Sequence, residues 1–117
     1  MPVLGVGGIF FRARQPAVVA AWYREHLGIG ADGPVWNQAE GPAVFAPFDS
    51  ATDYFAADRQ YMLNLRVSGL DDLITALKAA GIEVMTKAEW DAPETGRFAR
   101  IHDPEGNPIE LWEPPAD

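Results

Sequence analysis

The run from Arg100 to Glu113, Arg-Ile-His-Asp-Pro-Glu-Gly-Asn-Pro-Ile-Glu-Leu-Trp-Glu, constrains the fold of this chain more than any other part of it. Asp103-Pro104 followed by Gly106-Asn107 is turn chemistry, since proline restricts φ and glycine or asparagine tolerates a positive one. Beyond the turn, Ile109 and Leu111 alternate with Glu110 and Trp112, so one face of a strand is aliphatic and the other carries a carboxylate beside an indole. An acid flanked by apolar residues needs a partner, because burying an unpaired carboxylate is costly.

Size and composition bound the rest. A chain of 117 residues that is 48% hydrophobic closes one core but not two independent ones. It has no apolar run long enough to span a bilayer and no basic-then-apolar stretch at its start, so no membrane association and a cytoplasmic location are expected. Cysteine is absent, which excludes disulfides, thiol catalysis and thiolate metal sites and leaves His, Asp and Glu as metal donors. A net charge of −8 argues against nucleic acid as a partner. It suits solubility first, and cationic or neutral small molecules second.

The chain carries a weak internal repeat: residues 8–28 and 62–81 share the order strand, short turn, helix, glycine stop. In the second copy Leu70, Leu73, Ile74 and Leu77 recur at helical spacing, Asp71 and Asp72 occupy the first turn where the helix dipole favours them, and Gly81 ends the helix. The first helix starts at Pro16 and ends at Gly28, with Val19, Tyr23 and Leu27 as its buried stripe. Short strands are expected at 35–38, 43–47, 83–87, 97–102 and 109–113. Residues 48–59 lack periodicity yet contain Tyr54 and Phe55, which marks them as a loop or lid.

The closing run resembles that of the vicinal oxygen chelate superfamily, the group of glyoxalases, bleomycin-resistance proteins and extradiol dioxygenases, in which the acid of an Asp-Pro-x-Gly-Asn-x-x-Glu pattern is a metal ligand. Here that acid is Glu110. Gly8-Ile9-Phe10-Phe11-Arg12-Ala13-Arg14, leading into Ala20-Ala21-Trp22-Tyr23-Arg24-Glu25-His26-Leu27-Gly28, is similar to the group's first strand, first helix and Leu-Gly stop. The resemblance implies an α+β fold in one domain over 1–117. Two βαβββ-type modules, about 1–58 and about 59–117, would form a curled mixed sheet around a cavity, and the protein would be a homodimer.

Strand alternation then separates cavity-facing from helix-facing residues. Ile109 and Leu111 pack under a helix, so Glu110 and Trp112 face inward. The same parity turns Met62, Asn64 and Arg66 inward on the repeat's strand, Gly8, Phe10 and Arg12 on the first, and Phe98, Arg100 and His102 before the turn. In the enzymes of the superfamily the metal is held at an inward position of the first strand, its equivalent in the repeat, and the final acid. Carried over, these are Gly8, Met62 and Glu110. Glycine has no side chain and a thioether suits hard or borderline divalent ions poorly, so neither a metal nor another cofactor is expected.

What offsets Glu110 is Arg100, its expected neighbour across the hairpin, in a cross-strand ion pair. The pair either satisfies two buried charges or contacts a ligand. His102 reads as a general base, a ligand of an unforeseen metal, or a strand-end residue bonding the loop. Trp36, Trp90 and Trp112 form an aromatic box or belong to the core or a dimer interface, while Trp22 is assigned to the core. Ligand-binding candidates are thus Glu110, Arg100, Trp112, His102, Met62, Asn64, Arg66, Phe10, Tyr54 and Phe55, with no catalytic residue assigned. The leading expectation is a small-molecule binding protein that performs no chemistry on its ligand. A metal-dependent lyase or dioxygenase with a displaced metal site is the alternative, and a partner-binding domain with a filled cavity a third reading. The ligand is not legible in the sequence.

Overall fold

The turn at 103–107 organises the structure, a computed structural model that describes residues 2–116; the outermost residues of the expected domain, 1 and 117, lie outside it. Gly106 adopts φ +80°, and its N–H donates to the carbonyl of Asp103 at 2.9 Å while the N–H of Asp103 donates to Asn107 O at 3.1 Å. The Asp103 carboxylate closes the turn from within, accepting from the backbone N–H groups of Glu105 and Asn107 and from the Asn107 amide. The flanking residues then pair as an antiparallel hairpin.

Among the described residues two helices and three strands are formed. In chain order they are α1 (Pro16–Leu27), β1 (Leu63–Arg66), α2 (Leu70–Ala79), β2 (Arg97–His102) and β3 (Pro108–Glu113), with a short 3₁₀ turn at Ala88–Trp90. The sheet order is β1-β3-β2, β1 parallel and β2 antiparallel to the central β3. Helix α1 begins at Pro16 and stops at Gly28 in the left-handed region, as its sequence requires. Helix α2 ends at Ala79, two residues before Gly81.

Alternation sorts the sheet into two faces. Leu65, Ala99, Ile101, Ile109 and Leu111 point to the helices, where they form one core with Val19 and Tyr23 of α1 and Leu70 and Leu77 of α2. Each fully buried Leu or Ile contributes about 1.5–3 kcal/mol relative to exposure. The opposite face carries Asn64, Arg66, Phe98, Arg100, Glu110 and Trp112.

The expected pair of modules closing a curled sheet around a cavity is not what forms. One βαβββ-type module is present, in which the strand expected at 83–87 is reduced to a single bridge between Met85 and Arg100. Residues 8–13, 35–38 and 43–47 join no ladder. Pro34, Pro42 and Pro47 each remove a ladder donor, and Gly5, Gly7 and Gly8 weaken the first stretch. The repeat reproduces the strand parity of the second half without a hydrogen-bonded neighbour for it to pair with. Parity still acts locally: Phe11 turns toward Tyr23 and Tyr61, with ring centroids 6.3 and 6.2 Å away, whereas Phe10 is 99% exposed.

Candidate functional site

Strand register lines up the helix-free face in two rows. Asn64 of β1, Glu110 of β3 and Arg100 of β2 lie side by side, and Arg66, Trp112 and Phe98 form the next row. The first row is polar and lies on a sheet with a dry opposite face. Glu110 is 7% exposed and Arg100 6%.

Their cover comes from two segments outside the sheet. Tyr54 of the aperiodic 48–59 stretch lies across both residues: its hydroxyl donates to Glu110 Oε2 at 2.5 Å, and its carbonyl accepts from Arg100 Nη1 at 3.0 Å. The Arg100 guanidinium sits 4.8 Å from the Tyr54 ring centroid and 5.5 Å from that of Trp90, both cation–π distances. Tyr54 and Trp90 meet edge to face at 6.0 Å, and Phe48 contacts both Tyr54 and Phe55. The far end of the stretch is tied down by Arg59, whose Nη2 donates to Glu105 O at 2.9 Å.

The other Glu110 oxygen accepts from Asn64 Nδ2 at 2.7 Å. Burial, the hydrogen bond to Glu110 and the charge of Glu110 together push the Tyr54 phenol up to about 12, against the opposing influence of Arg100. Tyr54 is therefore a neutral donor at physiological pH. Arg100 and Glu110 are direct strand partners, as their positions require, but the expected ion pair between them is not made among the described residues. Tyr54 engages each of them separately instead, offering a hydroxyl to the acid and a carbonyl and ring face to the cation.

The remaining sequence candidates fall in different places. Trp112 shares the face with Glu110, but its ring stacks on Phe98 at 6.4 Å and 7° and its indole N–H donates to Thr95 O at 2.7 Å, one row from the acid. Arg66 is occupied with the carbonyls of Ala39 and Glu40, holding the 34–41 segment against the sheet edge. Met62 is half-buried just before β1, His102 is exposed at the end of the hairpin, and Phe55 stands behind Phe48. Phe10 projects into solvent away from any of these contacts. Trp36 is 46% exposed, and no three-tryptophan box forms: Trp90 alone of the three stands over Arg100. Two surface clefts, one around Val67, Pro93 and Glu113 and one around Arg14 and Pro104, lie away from the polar row.

In the sequence Phe48 marks only the start of the loop or lid, and Trp90 is one of three tryptophans that form an aromatic box or belong to the core or a dimer interface. Neither carries periodicity or a motif, so no signal short of the folded chain joins them to Glu110.

A divalent metal does not fit the residues at the superfamily's ligand positions. Both Glu110 oxygens are held by hydrogen donors, Tyr54 and Asn64, and the accompanying positions are Gly8 and the Met62 thioether. Among the described residues no group of three or more His, Asp or Glu side chains is arranged to hold an ion.

A mixed sheet with two helices on one face and a buried acid on the other, entered through an Asp-Pro-x-Gly-Asn turn, defines a protein of the vicinal oxygen chelate class. Residues 8–112 match the model of the glyoxalase-like domain family, and the chain belongs to that family. No curated protein sequence matches it. Among solved structures it is similar to TnmS3, an antibiotic binding protein from Streptomyces sp. CB03234, with 23% sequence identity and a TM-score of 0.59 over 97% of this chain and 98% of that one. At that identity the likeness is one of fold. No helix among the described residues is long and apolar enough to cross a membrane.

Proposed function

We propose that the protein binds a flat small molecule on the helix-free face of its sheet, under Tyr54 and Trp90, and leaves it chemically unchanged. The observation that carries this is the state of Glu110, a buried carboxylate whose two oxygens are taken by a phenol and a side-chain amide rather than left for a metal. Around it are aromatic faces, one guanidinium and few other polar groups, the composition of a binding pocket. The description of TnmS3 as antibiotic binding supports the view that this fold accommodates such a ligand.

The reading includes a homodimer. Its support is the apolar surface that a single chain leaves in water, with Leu4 97% and Phe45 90% exposed.

The test is a fluorescence screen of planar aromatic compounds and antibiotics, followed by mass spectrometry of each hit after long incubation, with and without zinc, nickel, manganese or iron(II). The expected outcome is one-to-one binding, recovery of the intact compound, and no stoichiometric uptake of any ion. Turnover that requires an added ion, together with tight ion binding lost in Glu110→Ala, would favour the lyase or dioxygenase alternative.

A further inference from the structure

We propose that the ligand is an aromatic monocarboxylate whose two oxygens are received by the Nε and Nη2 edge of Arg100; this rests on the small-molecule reading above and deepens it. Of the three guanidinium nitrogens of Arg100, Nη1 donates to Tyr54 O, while Nε and Nη2 are buried with no hydrogen-bond partner among the described residues. These two belong to one edge. In a planar guanidinium the Nε–H and the adjacent Nη2–H run side by side, a fork that matches both oxygens of a carboxylate.

Charge points the same way. Arg100 is 6% exposed and has no ion-pair partner among the described residues, whereas Arg59 and Arg97 have theirs in Asp58, Asp71, Asp91 and Glu113. A buried cation with an unsatisfied edge is costly, and an anion seated on that edge removes both costs at once. Glu110, one strand over, is engaged by Tyr54 and Asn64 and does not reach across. Its charge nevertheless limits the site to one added negative charge, so a monocarboxylate is favoured over a dicarboxylate.

The rest of the ligand is set by what flanks the fork. Tyr54 and Trp90 present ring faces to Arg100, and Lys87 Nζ stands 5.4 Å from the Trp90 ring centroid. A flat ring attached to the carboxylate stacks on these faces once they part. Tyr54 and Trp90 themselves lie outside the strands and the flanking bridges, so their rings part without breaking the pairing of β1, β2 and β3.

The experiment titrates the full chain with 2-naphthoate and with 2-naphthamide, which has the same ring but no charge, read by tryptophan fluorescence and calorimetry. Wild type is expected to prefer the naphthoate by about tenfold or more, the scale of a charge-assisted hydrogen bond. Arg100→Lys, which keeps the charge and loses the fork, should surrender most of that preference, and Arg100→Gln all of it. The Arg100 Nε–H proton resonance should move downfield with naphthoate and not with naphthamide. That readout and the wild-type ratio decide the matter even if a variant fails to fold. Equal binding of the two compounds, or a preference that survives in Arg100→Gln, overturns the carboxylate assignment and leaves the small-molecule reading standing. Binding of neither compound also overturns the assignment, and the small-molecule reading then stands or falls on the wider screen.

Discussion

Glu110 shows how one residue's surroundings can reverse its inherited chemistry. In the superfamily's enzymes the final acid binds a metal; here it accepts two hydrogen bonds from neutral groups beside a guanidinium it does not pair with. A double-mutant cycle distinguishes these partners. Coupling between Tyr54→Phe and Glu110→Gln is expected at about 1–2 kcal/mol in urea unfolding, the range for a partly buried hydrogen bond to a charged group. The cycle of Arg100→Gln with Glu110→Gln should give the smaller coupling. Were the Arg100 cycle the larger, the ion pair read from the sequence would be the true arrangement and Tyr54 incidental.

At the scale of elements, the hairpin turn doubles as a dock for α1. Tyr23 of α1 donates its hydroxyl to Asp103 Oδ2 at 2.8 Å in the interior, and burial followed by that hydrogen bond pushes its phenol up. Helix α1 has no side-chain cap of its own; instead Glu105 of the turn accepts from the backbone N–H groups of Arg14 and Gln15, at 2.7 and 2.8 Å, just ahead of the first turn. Those N–H groups hold the Glu105 carboxyl below the usual glutamate value of 4.5. Because the folded value is the lower, the contribution is complete above the unfolded value of 4.5 and is lost as pH falls through the folded one. Thermal unfolding from pH 6 down to pH 3 should therefore show wild type losing more Tm than Glu105→Gln, the two curves converging at the acid end. Parallel curves across that window would show that the carboxylate does not hold the start of α1.

For the whole molecule, the two halves of the chain differ in how far they bury themselves. Among the described residues, 63–113 supply all three strands and α2, whereas residues 2–13 and 34–48 join no helix or strand and leave Val3, Leu4, Phe10, Val44 and Phe45 in solvent. Single exposed apolar residues are ordinary, but a series of this kind is what the proposed homodimer would cover. The expected occupant is a second copy of the chain. Light scattering after size exclusion should give twice the 12.8 kDa chain mass, and Phe10→Asp with Phe45→Asp should shift it to the monomer. A wild type that runs as a monomer at tens of micromolar would remove the dimer from the reading.

Local patterning already determined much of this protein. The bounds of α1, the stripe of α2, the hairpin and its turn, and the division of each strand into helix-facing and open-facing residues all follow from spacing, because side-chain direction in a helix or strand is set by backbone geometry alone. The same parity put Asn64, Arg100 and Glu110 on one face, and the absence of ligands at Gly8 and Met62 was legible as composition. Three things waited for tertiary structure: that the first half forms no ladder, that Tyr54 engages both Arg100 and Glu110, and that Trp90 and Phe48 complete the cover. Each depends on which distant segment reaches a given neighbour, and periodicity carries no information about that. Strand pairing needs a partner as well as a pattern, and the hydrogen bonds of a buried charge go to whichever donor or acceptor the folded chain brings near.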